Sequence, residues 1–177
     1  MTVTPASLPA IRKADAGDAT RLARFAEETF RETFGAVNAA DDMDRYCRAS
    51  FGEAIQASEI RDPGRVTLLS EDGGRLVGFA QLRWDAAPSC VAAARPGEIQ
   101  RLYVASDRHG AGVARGLMEA CLTELQARGS DLAWLGVSGQ NSRAIAFYRK
   151  FGFAAVGEHE FLLGQDSQRD IVMARGM

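Results

Sequence analysis

Asp107-Arg108-His109-Gly110-Ala111-Gly112-Val113-Ala114-Arg115 is the stretch whose reading decides the fold. Before it runs Glu98-Ile99-Gln100-Arg101-Leu102-Tyr103-Val104, a strand that alternates polar and apolar through Leu102. After it Val113, Leu117, Cys121 and Leu125 recur four apart, with Ala114, Met118 and Leu122 beside them, as on one helix face. A glycine-rich turn that enters a helix leaves several backbone N–H groups unpaired. They converge on one spot, and the helix dipole adds partial positive charge there. Glycine at 110 and 112 lets a phosphate reach the main chain without meeting a Cβ. The same two glycines also read simply as a tight turn. Two phosphate-binding motifs fail on residues. A P-loop ends Gly-Lys-Ser/Thr, whereas Gly112-Val113-Ala114 offers neither lysine nor hydroxyl. A dinucleotide fingerprint needs Gly or Ala at the sixth position from Gly110, which is Arg115.

Outward from this stretch the elements fall into place. Residues 8–14 read as a short strand, and Asp18 as the cap of a helix carrying Leu22, Phe25, Ala26, Thr29, Phe30, Thr33 and Phe34 on one face. Residues 39–60 read as one or two helices, with Asp41-Asp42 at the start. Arg65–Ser70 and Arg75–Trp84 flank Gly73-Gly74 and predict an antiparallel hairpin. Residues 85–96 lack a period and read as a loop. Leu132-Ala133-Trp134-Leu135-Gly136-Val137 is a continuous apolar run, as in a strand covered on both faces. Asn141 opens a helix ending near Gly152. Phe153–Val156 and Glu160–Leu163 extend to a turn at 164–167, and Ile171-Val172-Met173 is a last strand.

The chain has 177 residues, 46% hydrophobic and 25% charged, which suits one domain over 1–177. No apolar run reaches the roughly 20 residues that span a bilayer. Met1-Thr2-Val3-Thr4-Pro5 shows no export signal, and three scattered cysteines, Cys47, Cys90 and Cys121, suit a reducing compartment. A cytoplasmic protein is expected. Lys+Arg is 21 and Asp+Glu 23, without the basic excess that nucleic-acid binding requires. His109 and His159 are the only histidines, so no zinc spacing exists and no metal is expected. No cysteine has a placed basic partner, which argues against a cysteine nucleophile.

The glycine loop resembles the Gln/Arg-x-x-Gly-x-Gly/Ala element of the Gcn5-related N-acetyltransferases (the GNAT superfamily), matching at Gly112 and Ala114 and departing at His109. Asn141-Ser142-Arg143-Ala144-Ile145-Ala146-Phe147-Tyr148-Arg149-Lys150-Phe151-Gly152-Phe153 resembles the family's Asn-x-x-Ala-x-x-Phe-Tyr-x-x-x-Gly-Phe run. The likeness spans residues 8–175 and is nearest to the PaiA-type branch. It implies an α+β, three-layer fold: a mixed, mostly antiparallel sheet of six to seven strands flanked by helices.

It also implies an acetyl-CoA-dependent N-acetyltransferase whose acceptor is a polyamine, another small amine, or a peptide or protein amine. A catalytically inactive CoA-binding regulatory module is the alternative. The N–H groups of His109, Gly110, Ala111, Gly112, Val113 and Ala114 are expected at the pyrophosphate of coenzyme A. Arg115 and Arg108 either add charge there or are solvated surface arginines. In the family the preceding strand bulges and splays from the next, and main chain at Leu102, Tyr103 and Val104 would pair with the pantetheine arm. Asn141 caps its helix, bonds the pantetheine, or does both. Tyr148 is expected to give a proton to the departing thiolate; its other reading is a core aromatic. Glu98 aligns with a family base and reads equally as an ordinary exposed carboxylate. Asp41, Asp42, Asp44 and Glu53 either border the acceptor cleft or form a solvated face. The expected partners are a small-molecule amine or peptide, with no nucleic acid and no membrane; a homodimer is compatible with the reading.

Overall fold

The computed structural model describes residues 9–85 and 87–177. Leu8 and the N-terminal run on which the export reading rests lie outside them. In chain order the elements are β1 (Ala10–Lys13), α1 (Ala19–Phe34), α2 (Ala40–Phe51), α3 (Glu53–Arg61), β2 (Arg65–Asp72), β3 (Arg75–Arg83), β4 (Pro96–Val104), α4 (Val113–Ala127), β5 (Leu132–Ser138), α5 (Ser142–Lys150), β6 (Ala154–Leu163) and β7 (Asp166–Gly176). One seven-stranded sheet runs β1-β2-β3-β4-β5-β7-β6. Every neighbouring pair is antiparallel except β4 and β5. This is the α+β three-layer sheet that the sequence leads one to expect.

Helices cover both faces because both faces of the central strands are apolar. On one face Leu117, Met118, Cys121 and Leu125 of α4 pack on Val77, Leu82 and Leu135, with Tyr148 and Phe147 of α5 at the margin. On the other, Leu22 and Phe30 of α1 and Met43, Cys47 and Phe51 of α2 pack on Leu69 and Phe79. Trp134 and Leu135 are neighbours in β5, yet both are buried, one on each face.

Three details depart from the sequence reading or add to it. Asp18 does not cap α1 with its side chain; Asp15 caps the preceding turn instead. The Asp18 carboxylate accepts from Asp15 N–H at 2.8 Å and from Arg12 at 2.8 Å, and Arg21 lies at 2.5 Å. Those guanidiniums hold its carboxyl well below the usual carboxylate range. The last two strands join directly at Gly164-Gln165, so β7 begins at Asp166 and pairs with β6 along its length. Finally, the Gln165 N–H donates to Asp42 Oδ1 at 2.8 Å, which ties this hairpin tip to α2.

Candidate active site

The parallel pairing of β4 with β5 covers only Pro96–Glu98 against Leu132–Trp134. Beyond Glu98 the two strands part. The pairing of β4 with β3 steps from Arg101↔Gln81 to Ile99↔Leu82, leaving Gln100 as the bulged residue. A bulge bends its strand and re-aims it, and here it accompanies the opening of a gap in mid-sheet. A cavity of about 480 Å³ fills that gap. Its walls include Ala144 and Tyr148 from the α4/α5 face and Phe30 and Tyr46 from the α1/α2 face, so it passes through the sheet. Leu102, Tyr103 and Val104 form its β4 side.

The glycine loop stands at one end. Gly110 (φ 82) and Gly112 (φ 84) are both left-handed, which accounts for glycine at each. A Cβ at Gly110 would meet nothing within 4 Å, so the space above the loop is open. The loop uses some of its own donors. His109 N–H reaches Ser106 O at 3.3 Å and Ala111 N–H reaches Arg108 O at 3.2 Å. The first intrahelical bond of α4 is Gly116 N–H to Gly112 O at 3.0 Å. The N–H groups of Gly110, Gly112, Val113, Ala114 and Arg115 therefore have no backbone partner among the described residues. Of the run 109–114, His109 and Ala111 thus have their N–H groups already engaged, and the Arg115 N–H is open beside the rest.

His109 has another task. Arg143 on α5 can only donate, so Nδ1 of His109 accepts from it at 3.1 Å, and Nε2–H donates to Val104 O at 3.2 Å. The ring bridges the end of β4 to the start of α5 through the Val104 carbonyl. Arg143 was invisible as a site residue because its partner lies 34 positions away. Arg108 pairs with Asp72 at 2.7 Å and anchors the loop to β2. Arg115 lines the cavity.

Asn141 is the N-cap of α5: its Oδ1 accepts from Ala144 N–H at 3.1 Å. Its amide nitrogen is left to the cavity that it lines. Tyr148 stands two turns on, with ring centroids 5.6 Å from Phe147 and 6.1 Å from Phe153. Burial pushes its phenol up to about 12, so it is protonated at neutral pH.

Glu98 is not an exposed carboxylate. It is 6% exposed, and both its oxygens meet the Arg83 guanidinium, Oε1 at 3.2 Å. Arg101, also buried, holds Glu59 at 2.8 Å. Of the four acids read either as a border of the acceptor cleft or as a solvated face, Asp42 is bound to the β6–β7 turn and Asp44 to Arg31 at 2.8 Å. None of the four lines the cavity. The acid that does, besides Glu98, is Asp170 of β7, beside His159 of β6. Burial raises the Cys47 and Cys121 thiols, as befits packing residues. Among the described residues no group of three or more His, Cys, Asp or Glu could hold a metal ion, and no helix is long and apolar enough to cross a membrane.

Comparison with known proteins agrees with this architecture. Residues 22–153 match the acetyltransferase (GNAT) family model. An uncharacterised N-acetyltransferase of Mycobacterium bovis is 35% identical over 159 residues, 89% of this chain and 97% of that one. A mycothiol acetyltransferase of Saccharomonospora viridis is 39% identical over 106 residues, 55% of this chain and 35% of that one. In structure, the chain resembles the PaiA N-acetyltransferase of Thermoplasma acidophilum solved in complex with coenzyme A. The TM-score is 0.76 at 20% identity, covering 95% of this chain and 98% of that one.

Proposed function

This chain belongs to the GNAT acetyltransferase family, and from that premise we propose that it moves an acetyl group from acetyl-CoA to a primary amine by direct attack on the thioester. The observation that carries the reading is the cavity that runs from the α4 N–H cluster through the β4–β5 gap to a chamber on the other face. An anion at the loop, an extended arm in the gap and an amine in the chamber would bring the two reactants together in mid-sheet. Bound acetyl-CoA supplies the carbonyl carbon that the amine attacks and the sulfur that leaves.

The rest is the work of this chain's residues. The N–H groups of Gly110 and of Gly112 to Arg115 hold the pyrophosphate, where the helix dipole favours negative charge. Main chain of Leu102, Tyr103 and Val104 pairs with the arm, and one N–H of that segment polarises the thioester carbonyl. The Asn141 amide nitrogen bonds the arm while its oxygen caps α5. The Tyr148 hydroxyl donates to sulfur as the C–S bond breaks. An alkyl ammonium titrates near ~10.4 and must lose a proton to attack. Glu98 is the base in this reading; with both oxygens on Arg83 it receives that proton through a water.

The test is thiol release from acetyl-CoA over a panel of polyamines, amino acids and peptides, with acetylated product identified by mass. Turnover on at least one amine is expected. Failure to bind acetyl-CoA would sink the reading. Thermal stabilisation by CoA with no turnover on any acceptor would favour the regulatory module instead.

A further inference from the structure

We propose that Asp170 is the seat of the acceptor's ammonium group, in a chamber that selects a primary amine carried on a small apolar body. The proposal rests on the acetyl-transfer reading above and names the acceptor class for it. On the α1/α2 face the cavity is walled by Phe30, Phe34, Tyr46, Tyr103 and Phe161. Their rings pack as one cluster: Phe30 stacks on Tyr46 at 4.6 Å, and Tyr46 meets Phe161 at 5.4 Å. Aromatic faces attract a cation, most strongly where water is excluded.

The charge in this chamber is unbalanced. Glu98 and Glu59, on the sheet beside it and on α3, are each held by a guanidinium. Asp170 is not. Burial raises its carboxyl, and the neighbouring His159 is what opposes that rise; no hydrogen bond to the carboxylate contributes. The other titratable groups that feel it are the phenols of Tyr103 on β4 and Tyr46 on α2, neither of which brings positive charge. A half-buried carboxylate that pairs with no guanidinium or ammonium and accepts no hydrogen bond is costly unless something completes it.

His159 adds an independent sign. It pairs with Asp170 across β6 and β7, and its Nε2 is buried with no hydrogen-bond partner. A Cβ on residue 136 would lie 2.5 Å from that nitrogen. Glycine at 136 therefore makes room for the ring, which also meets Trp134 edge-on with centroids 6.2 Å apart. Orphaned buried polar atoms are rare, and two adjacent desolvated groups in one cavity mark a place that a ligand fills. Asp170 touches the substrate in this scheme; His159 is a positioning residue that sets the carboxylate's place on the chamber wall.

The experiment is calorimetric titration of the CoA-loaded protein with 2-phenylethylamine and 1,4-diaminobutane, and with 2-phenylethanol as a neutral control. The wild type should bind the amines. Asp170→Asn, which keeps shape and removes charge, should weaken amine binding about 10- to 100-fold with CoA affinity and binding of the alcohol unchanged. Gly136→Ala, which displaces the His159 ring, should also weaken the amines without affecting CoA. Glu158→Gln, on the exposed side of β6, should change nothing. In turnover, Asp170→Asn should raise the acceptor KM while the acetyl-CoA KM holds. Equal amine affinity in Asp170→Asn overturns the proposal, as does a wild type that binds CoA and neither amine. A wild type that does not bind CoA overturns the acetyl-transfer reading, and this proposal with it.

Discussion

Replacing Tyr148 by phenylalanine tests the leaving-group step. The phenol titrates at about 12 because burial disfavours phenolate. A thiol titrates near ~8.5, so full transfer of this proton to a departing thiolate is uphill by about 3.5 pKa units, roughly 5 kcal/mol. Tyr148 therefore acts by sharing its proton in a hydrogen bond as charge develops on sulfur, and the complete transfer follows from solvent. Removing one such preorganised donor costs about 10²- to 10³-fold in kcat. No hydrogen bond to the phenol contributes to its raised pKa, so the substitution strands no buried partner. Stability should hold to within about 0.5 kcal/mol. The assay is thiol release at saturating acetyl-CoA and amine, with acetyl-CoA affinity from calorimetry and a thermal melt beside it. We expect kcat to fall by that factor while affinity and melting temperature hold. The pH profile is a second check. The acid form persists up to about 12, so the wild type should lose no kcat through Tyr148 between about pH 7 and 10. An unchanged kcat in the variant refutes the role. So does a wild-type basic limb near ~10 that phenylalanine abolishes, because an ordinary tyrosine would titrate there.

Further outcomes follow from the same geometry. Gly112→Ala forces a side chain into φ 84 at the N-cap of α4; it should cost about 1–2 kcal/mol in a denaturant melt and weaken acetyl-CoA binding in calorimetry. Gly97→Ala sets a Cβ against Leu125 and 2.8 Å from Ser130 Oγ, where Trp84 Nε1–H donates at 2.9 Å; overpacking of about 1–3 kcal/mol is expected in the same melt. Asp18 has its folded pKa depressed, so its stabilisation is fully present above the unfolded value near ~3.9 and disappears as pH falls through the folded one. Asp18→Asn should lose about 1–3 kcal/mol at neutral pH, with a smaller difference from wild type once urea melts are run well below the unfolded value.

Several features were legible because their causes are local. Gly110 and Gly112 punctuate the chain between a period-two run and a period-four run, and that alone places a helix N-terminus after a strand. Asn141 three residues before Ala144 reads as a cap, and it is one. Gly73-Gly74 between two β-rich runs reads as a hairpin, and both residues have positive φ. The acid cluster at 41–44 was equally visible, yet Asp42 meets the β6–β7 turn, Asp44 meets Arg31, and none of the three acids lines the cavity. Charge counts along a chain do not say which charges already have partners. Asp170 carried no signal, since its isolation depends on residues of β4, β6 and α2 that fold around it. Arg143 was hidden for the same reason, its acceptor being a ring on another loop.

By itself the sequence determined the order of elements, the apolar faces and the open N–H groups at the start of α4. Periodicity, glycine dihedrals and unsatisfied helix ends act over a few residues, and any fold must honour them. Only the tertiary structure decided which donors of the loop stay open, where the sheet parts, and which cavity carboxylate is left without a guanidinium partner. Those outcomes turn on distances and desolvation between groups far apart in the chain. Glu98 shows the difference. In sequence it reads either as a base or as an ordinary exposed carboxylate, and it is Arg83, brought opposite it by the antiparallel register of β3 and β4, that buries it and takes both its oxygens.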